Sequence, residues 1–227
     1  MTASNPQRNR WALGGVLFAA FFIAGDFLRG ALANGPLPMP GAPAEEVARY
    51  ITESGTSTLA VASVQLLSAL SLLVFVAPVA TLVRRVAGEW RALIGLTSGG
   101  GVLAAAFLLV CALLGFASFP VAGGGNLALI ETLRQANFLT GGTLHVASLG
   151  LFVGATSIAA RRTKALPRWI SWLGMVQATI AILSLASFFV FYANAFILFG
   201  RMLGFLWCIS VGIVLALGRQ REPVAGG

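Results

Sequence analysis

A chain of 227 residues that is 58% hydrophobic and only 10% charged, with a mean hydropathy of +0.89, has too little polar surface to cover a water-soluble globule of its size. Its formal charge of +8 would suggest a nucleic-acid partner in such a globule, but here the positive residues gather at one end of successive apolar segments, which assigns them to a membrane face and excludes nucleic acid. One histidine and two distant cysteines, Cys111 and Cys208, exclude paired-histidine haem ligation and any common metal-ligand spacing, so neither a cofactor nor a metal is expected and the cysteines read as apolar packing residues.

Crossing a hydrocarbon core of about 30 Å takes about 20 apolar residues of helix. The chain supplies six such stretches, near 11–32, 58–83, 91–118, 138–160, 169–193 and 196–217. They are long and continuously apolar, without the in-out alternation of lipid-facing strands, so the fold class is all-α and the architecture a bundle of six transmembrane helices. Residues 1–10 form an N-terminal segment, 11–218 a single membrane domain and 219–227 a tail.

The first stretch follows Arg8 and Arg10 and ends at Ala31-Leu32-Ala33, which resembles a signal-peptidase site. Asp26 and Arg29 interrupt the apolar run just before it, so cleavage is not expected. A Pro- and Gly-rich loop then leads to an amphipathic segment, Ala44 to Ile51, with Glu45 and Glu46 in the first turn where a helix dipole favours them. The second stretch contains Gln65 and Pro78 and closes on Arg84-Arg85; the third contains Gly99-Gly100-Gly101. In the next loop Asn126 is a candidate N-cap for a short helix over 127–135, with Leu129, Ile130 and Leu133 on one face. Both short helices are expected either on the outer membrane surface or as lids packed on the bundle.

The fourth stretch carries His145 and a Gly150/Gly154 pair, the sixth carries Arg201 and a Gly200/Gly204 pair, and such spacing suits close helix approach. Between the fifth and sixth, Phe188, Phe189, Phe191, Tyr192, Asn194 and Phe196 suit an interfacial belt or the lining of an apolar pocket.

Charge sets the expected orientation. Arg8, Arg10, Arg84, Arg85, Arg91, Arg161, Arg162, Lys164, Arg168, Arg219 and Arg221 lie on one side, with only Glu89 and Glu222 among acidic residues there. The positive-inside rule makes this side cytoplasmic, so both termini are expected inside and the protein in the plasma membrane, with membrane lipids as its general partners. A weak internal repeat of 77 to 79 residues pairs Arg84-Arg85 with Arg161-Arg162, Phe75 with Phe152, Trp90 with Trp169 and Gly95 with Gly174, as if stretches two and three were copied into four and five in the same direction.

Charged and strongly polar groups inside hydrocarbon cost several kcal/mol unless paired or solvated. Asp26 falls about 22 Å along the first helix, Gln65 and His145 about 10 Å inside the outer end of theirs, and Arg201 one to two turns into the last, so all four share one outer-leaflet layer. Three readings stay open. The layer is static glue, with Asp26 paired to Arg29 or Arg201 and His145 bonded to Gln65. Or it is a binding site for a small amphipathic or lipid-like molecule, with Arg29, Gln65, Tyr192, Asn194 and Arg201 as ligand-binding residues, for transport or sensing. Or it is an intramembrane enzyme in which Asp26 and His145 are catalytic and move protons on an apolar substrate. A structural subunit of a membrane assembly, or a homo-oligomer, is a further possibility. No Walker loop, dinucleotide fingerprint, nucleophile elbow or zincin motif occurs.

Leu144-His145, Arg161-Arg162, Leu166-Pro167-Arg168 and Gly174, together with Asp26, Arg29 and the acidic segment 44–51, resemble a bacterial family of six-helix membrane proteins catalogued as domain of unknown function 4386. The resemblance implies one compact six-helix bundle and brings no substrate or reaction with it. The family often has an acidic residue where this chain has Gln65, so shared acid chemistry does not carry over.

Overall fold

The computed structural model describes residues 9–39, 41–86 and 90–218. Arg8, Glu89 and the tail 219–227 lie outside the described residues, as does the side chain of Phe191. Among the described residues every regular element is helical. A short 3-10 turn, Arg10–Leu13, leads into α1 (Gly14–Leu32); it starts where the Asn9 side chain accepts a hydrogen bond from the Trp11 amide at 3.1 Å. There follow α2 (Ala44–Glu53), α3 (Gly55–Val86), α4 (Arg91–Gly123), α5 (Leu127–Phe138), α6 (His145–Thr163), α7 (Arg168–Leu183) and α8 (Asn194–Ala216). Six helical stretches are long and apolar enough to cross a membrane. Pro78 and Pro120 sit inside α3 and α4 without ending them.

Two boundaries differ most from expectation. The fourth stretch does not begin near residue 138: it runs without a break from Leu127 to Thr163, because α5 passes directly into α6 through a wide π-helical segment, Leu139–Leu144. Asn126 caps α5 as expected, accepting from the Leu129 amide at 3.1 Å, but the chain stays helical through 136–138, where a break was expected, and widens at Gly141-Gly142. α7 stops at Leu183 instead of reaching 193. Its last turn tightens into a 3-10 segment, Ser184–Phe188, where the Ser184 hydroxyl donates to the Ala181 carbonyl at 2.6 Å.

α6 is the central helix. It contacts α3, α4, α7 and α8 and is buried on nearly every side. Between helices in lipid, whose tails are as apolar as leucine, no hydrophobic force acts, and close packing and interhelical hydrogen bonds take its place. A Cβ at Gly150 would stand 2.6 Å from the Ala181 Cβ and one at Gly154 would stand 2.8 Å from the Ala178 Cβ, so the α6–α7 contact depends on these glycines. On the other side of the bundle a Cβ at Gly15 of α1 would stand 2.6 Å from the Cys208 carbonyl of α8. Polar links add to this: Ser68 donates to the Phe18 carbonyl at 2.8 Å, and Thr143 and Ser187 share a bond of 2.9 Å. Each such bond contributes about 0.6 kcal/mol on average in a membrane.

At the centre Phe75, Phe152 and Trp207 meet edge to face, with ring centroids 5.8 to 6.4 Å apart. The repeat-matched Phe75 and Phe152 are therefore direct neighbours. The matched glycines part company. Gly174 is packed against Ser157 and Trp207, whereas Gly95 has nothing within 4 Å, because it lies on the outward face of α4.

The two short helices touch each other. Val47 and Ala48 of α2 share one buried cluster with Ala122 of α4 and Ile130 of α5. Asn34, just after α1, ties the loop to the end of α2 by donating its backbone N–H to Ser54 Oγ and its side-chain amide to the Glu53 carbonyl. Along α5 the Glu131 carboxylate takes hydrogen bonds from Arg134 and Gln135, both at 2.7 Å.

Candidate functional site

One face of α8 carries Asn194, Ile197 and Arg201, spaced so that each lies about a turn beyond the last. This face packs on the π-helical segment. Ile197 lies within 4 Å of where a Cβ of Gly142 would stand, and one Arg201 Nη2 proton is donated to the Gly141 carbonyl. A widened turn departs from the regular helical ladder, and the guanidinium supplies a donor to one of its carbonyls. The same guanidinium lies over the Phe22 ring of α1, 4.7 Å from its centroid, and its Nε is buried without a partner.

From Phe22 an aromatic chain leads inward: Phe22 to Phe205 at 5.1 Å, Phe205 to Phe18 at 5.3 Å, Phe18 to His145 at 5.9 Å. His145 opens α6 and is fully buried. Its Nδ1 is 2.8 Å from the Ala104 carbonyl of α4, and Nε2 is buried with no partner. A carbonyl only accepts, so Nδ1 carries the proton and, in the neutral ring, Nε2 presents a bare lone pair. Gly141, one turn before His145, leaves room for Cys111 of α4: a Cβ there would run into the Cys111 sulfur. The Cys111 thiol is 3.9 Å from Gln65 Oε1, and the Cys111 carbonyl accepts from Asn137 at 2.8 Å.

The electrostatics of the layer are unbalanced. Arg201 is within electrostatic range of Asp26, Arg29, Cys111 and His145. Asp26 sits on an exposed part of α1 and gives its carboxylate to Arg29 at 3.1 Å. Two guanidiniums thus stand near one carboxylate, and among the described residues Arg201 has no acidic partner. A half-buried cation whose neighbours are a carbonyl and a ring retains an unmet demand for negative charge.

Of the residues read from sequence, the structure unites Arg201 and His145 around Gly141 and the phenylalanine chain. Asn194 lies two turns from Arg201 on the same face, with its Oδ1 buried and unpartnered. Gln65 reaches this layer through Cys111; the hydrogen bond expected between Gln65 and His145 is not made, and His145 bonds the Ala104 carbonyl instead. The Asp26–Arg29 pair is present. Asp26 and His145 make no contact with each other. Tyr192 stands 87% exposed on the connection before α8, beside Phe189 at 91%, both turned outward.

The sequence reading missed Phe18, Phe22 and Phe205, which among sixteen phenylalanines carry no distinguishing signal. It also missed Gln177 of α7, fully buried, whose Nε2 donates to the Gly200 carbonyl at 3.0 Å while its Oε1 is unpartnered. A lone glutamine in an apolar helix was the signal that could have found it. Nearby, Ser157, Ser171 and Trp207 also hold buried polar atoms without partners. Among the described residues no group of three His, Cys, Asp or Glu side chains is arranged to hold a metal.

No protein-family model, no curated protein and no solved structure matches this chain.

Proposed function

We propose that this chain is a plasma-membrane protein that binds a small amphipathic or lipid-like molecule, anionic at its head, in an outward-facing polar pocket inside the bundle, for transport or for sensing. The observation that carries this reading is Arg201: a guanidinium held among helices by a carbonyl and an aromatic face, with Asp26 committed to Arg29. A carboxylate or phosphate head supplies the missing charge, and the phenylalanine chain offers a route for an apolar tail. Asn194 and Gln65 border the same layer. α2 and α5, packed on each other, support the role of lids over the outer end. An enzyme that used Asp26 or His145 for proton transfer on an apolar substrate would rest on one group alone, since the two have separate partners.

The test uses dodecanoate and its uncharged analogue dodecanol on detergent-purified protein. Dodecanoate is expected to raise the melting temperature and dodecanol to do so far less, with the difference lost in Arg201→Ala. Equal stabilisation by both, or an undiminished dodecanoate effect in Arg201→Ala, would overturn the reading, as would chemical turnover of the bound acid.

Orientation belongs to the same proposal. Both termini are assigned to the cytoplasm because the basic residues collect at that end, where Arg161 stacks on Trp172 at 4.0 Å and Arg162 on Trp90 at 3.9 Å as interfacial anchors. Cys111 and Cys208 are buried and give little background to thiol reagents. In intact cells an impermeant maleimide is expected to label Gly35→Cys and to spare Arg84→Cys until the membrane is opened. The reverse pattern would invert the topology.

A further inference from the structure

We infer that His145 is the second recognition group of the Arg201 site and that the ligand is a β-hydroxy acid: a carboxylate for Arg201 and, two carbons along its chain, a hydroxyl that donates to His145 Nε2. The inference rests on the anionic-amphipath reading above and sharpens it. Three observations carry it. The imidazole is oriented by its Nδ1–H bond to the Ala104 carbonyl, so the ring does not turn freely and the unfilled position is an acceptor, not a donor. That acceptor is wholly buried in a fully buried residue, where an unmet polar atom is costly and water is scarce. And it lies close along the chain to Arg201's anchor: Gly141, whose carbonyl takes the guanidinium proton, stands in the π-helical segment four residues before His145, and His145 is within electrostatic range of Arg201.

The offset also has a direction. α6 runs from the Gly141 end toward Arg161, so His145 lies deeper than the Arg201 contact. A ligand entering head outward would set its carboxylate at Arg201 and send its first carbons inward past His145. A hydroxyl on the β carbon meets a lone pair there; a plain alkyl chain leaves that lone pair unsatisfied. Phe22 lies under the Arg201 guanidinium and Phe18 beside the His145 ring, with Phe205 touching both phenylalanines.

The experiment compares β-hydroxydodecanoate with dodecanoate on the full chain. The hydroxy acid is expected to bind about tenfold more tightly, one well-made hydrogen bond to a buried acceptor. His145→Phe is expected to reduce that preference to about one. Because a buried substitution can disturb folding, a second readout needs no variant: the chain has a single histidine, so nitrogen NMR of the imidazole gives one unambiguous pair of signals. The Nε2 signal is expected to shift toward the hydrogen-bonded position with the hydroxy acid and to stay put with dodecanoate, while Nδ1 keeps its proton throughout. Equal affinities with an unmoved Nε2 signal would overturn this inference and leave the anionic-amphipath reading standing. Binding of neither acid would overturn both.

Discussion

Arg201→Met is expected to leave the ligand-free protein as stable as the parent, or more stable, while erasing its response to dodecanoate. The guanidinium reaches one carbonyl and one ring, and no acidic residue among the described ones pairs with it. Partial burial of a charge is costly, and one carbonyl bond and a cation–π contact of about 0.5–2 kcal/mol offset only part of that. Methionine has similar reach, no charge and a sulfur that packs well on Phe22. Replacing buried ionic groups with apolar ones of similar volume is commonly neutral or stabilising by about 1–4 kcal/mol, whereas breaking a satisfied buried pair costs about 3–5 kcal/mol. Thermal unfolding in detergent therefore separates the roles by sign. A loss of the larger size would make Arg201 a fastener between α8 and α6, and the binding proposal would lose its foundation.

The largest loss of stability is expected from Trp207→Ala. Trp207 is fully buried and meets Phe152 at 5.8 Å and Phe75 at 6.4 Å, so its removal opens a cavity where α3, α6 and α8 converge. Tryptophan or phenylalanine to alanine in a core costs about 3–5 kcal/mol, and each aromatic pair lost adds about 0.5–1.5 kcal/mol. Its indole N–H has no partner, so Trp207→Phe forfeits area but no hydrogen bond and is expected to be much milder than alanine. Trp169, 59% exposed, is the control: its alanine variant is expected to stay within about 0.5 kcal/mol of the parent. A Trp207→Ala protein that melts with the Trp169→Ala protein would show that the three-ring centre does not hold the bundle together.

The polar layer was legible residue by residue and illegible as an arrangement. Asp26, Gln65, His145 and Arg201 stand out because each is a polar interruption of an apolar run, and rise per residue suffices to give each a depth. Which groups meet depends on how helices rotate about their axes. Asp26 had two eligible arginines and took the one three residues away on its own helix. His145 had Gln65 as a side-chain candidate and bonded a backbone carbonyl instead, a partner that no residue type advertises. The π-helical segment was hidden for the same reason. Gly141-Gly142 reads equally well as a break, a bend or a widened turn, and the choice among them follows from the contacts with Cys111 and Ile197.

Hydrophobic length alone determined that this is an all-helical chain with six segments able to cross a membrane, since a backbone in hydrocarbon must satisfy its own hydrogen bonds and helices do so within one segment. Glycine spacing likewise marked the Gly150/Gly154 face of α6 for close helix approach, while the partner, α7, came from the tertiary structure. The tertiary structure decided the rest: that α6 sits at the centre, that α2 and α5 pack on each other, and that Arg201 finds a carbonyl and a phenylalanine but, among the described residues, no carboxylate. Those outcomes turn on the azimuth of one helix against another, a quantity that apolar periodicity leaves nearly undetermined when every face of a helix is greasy.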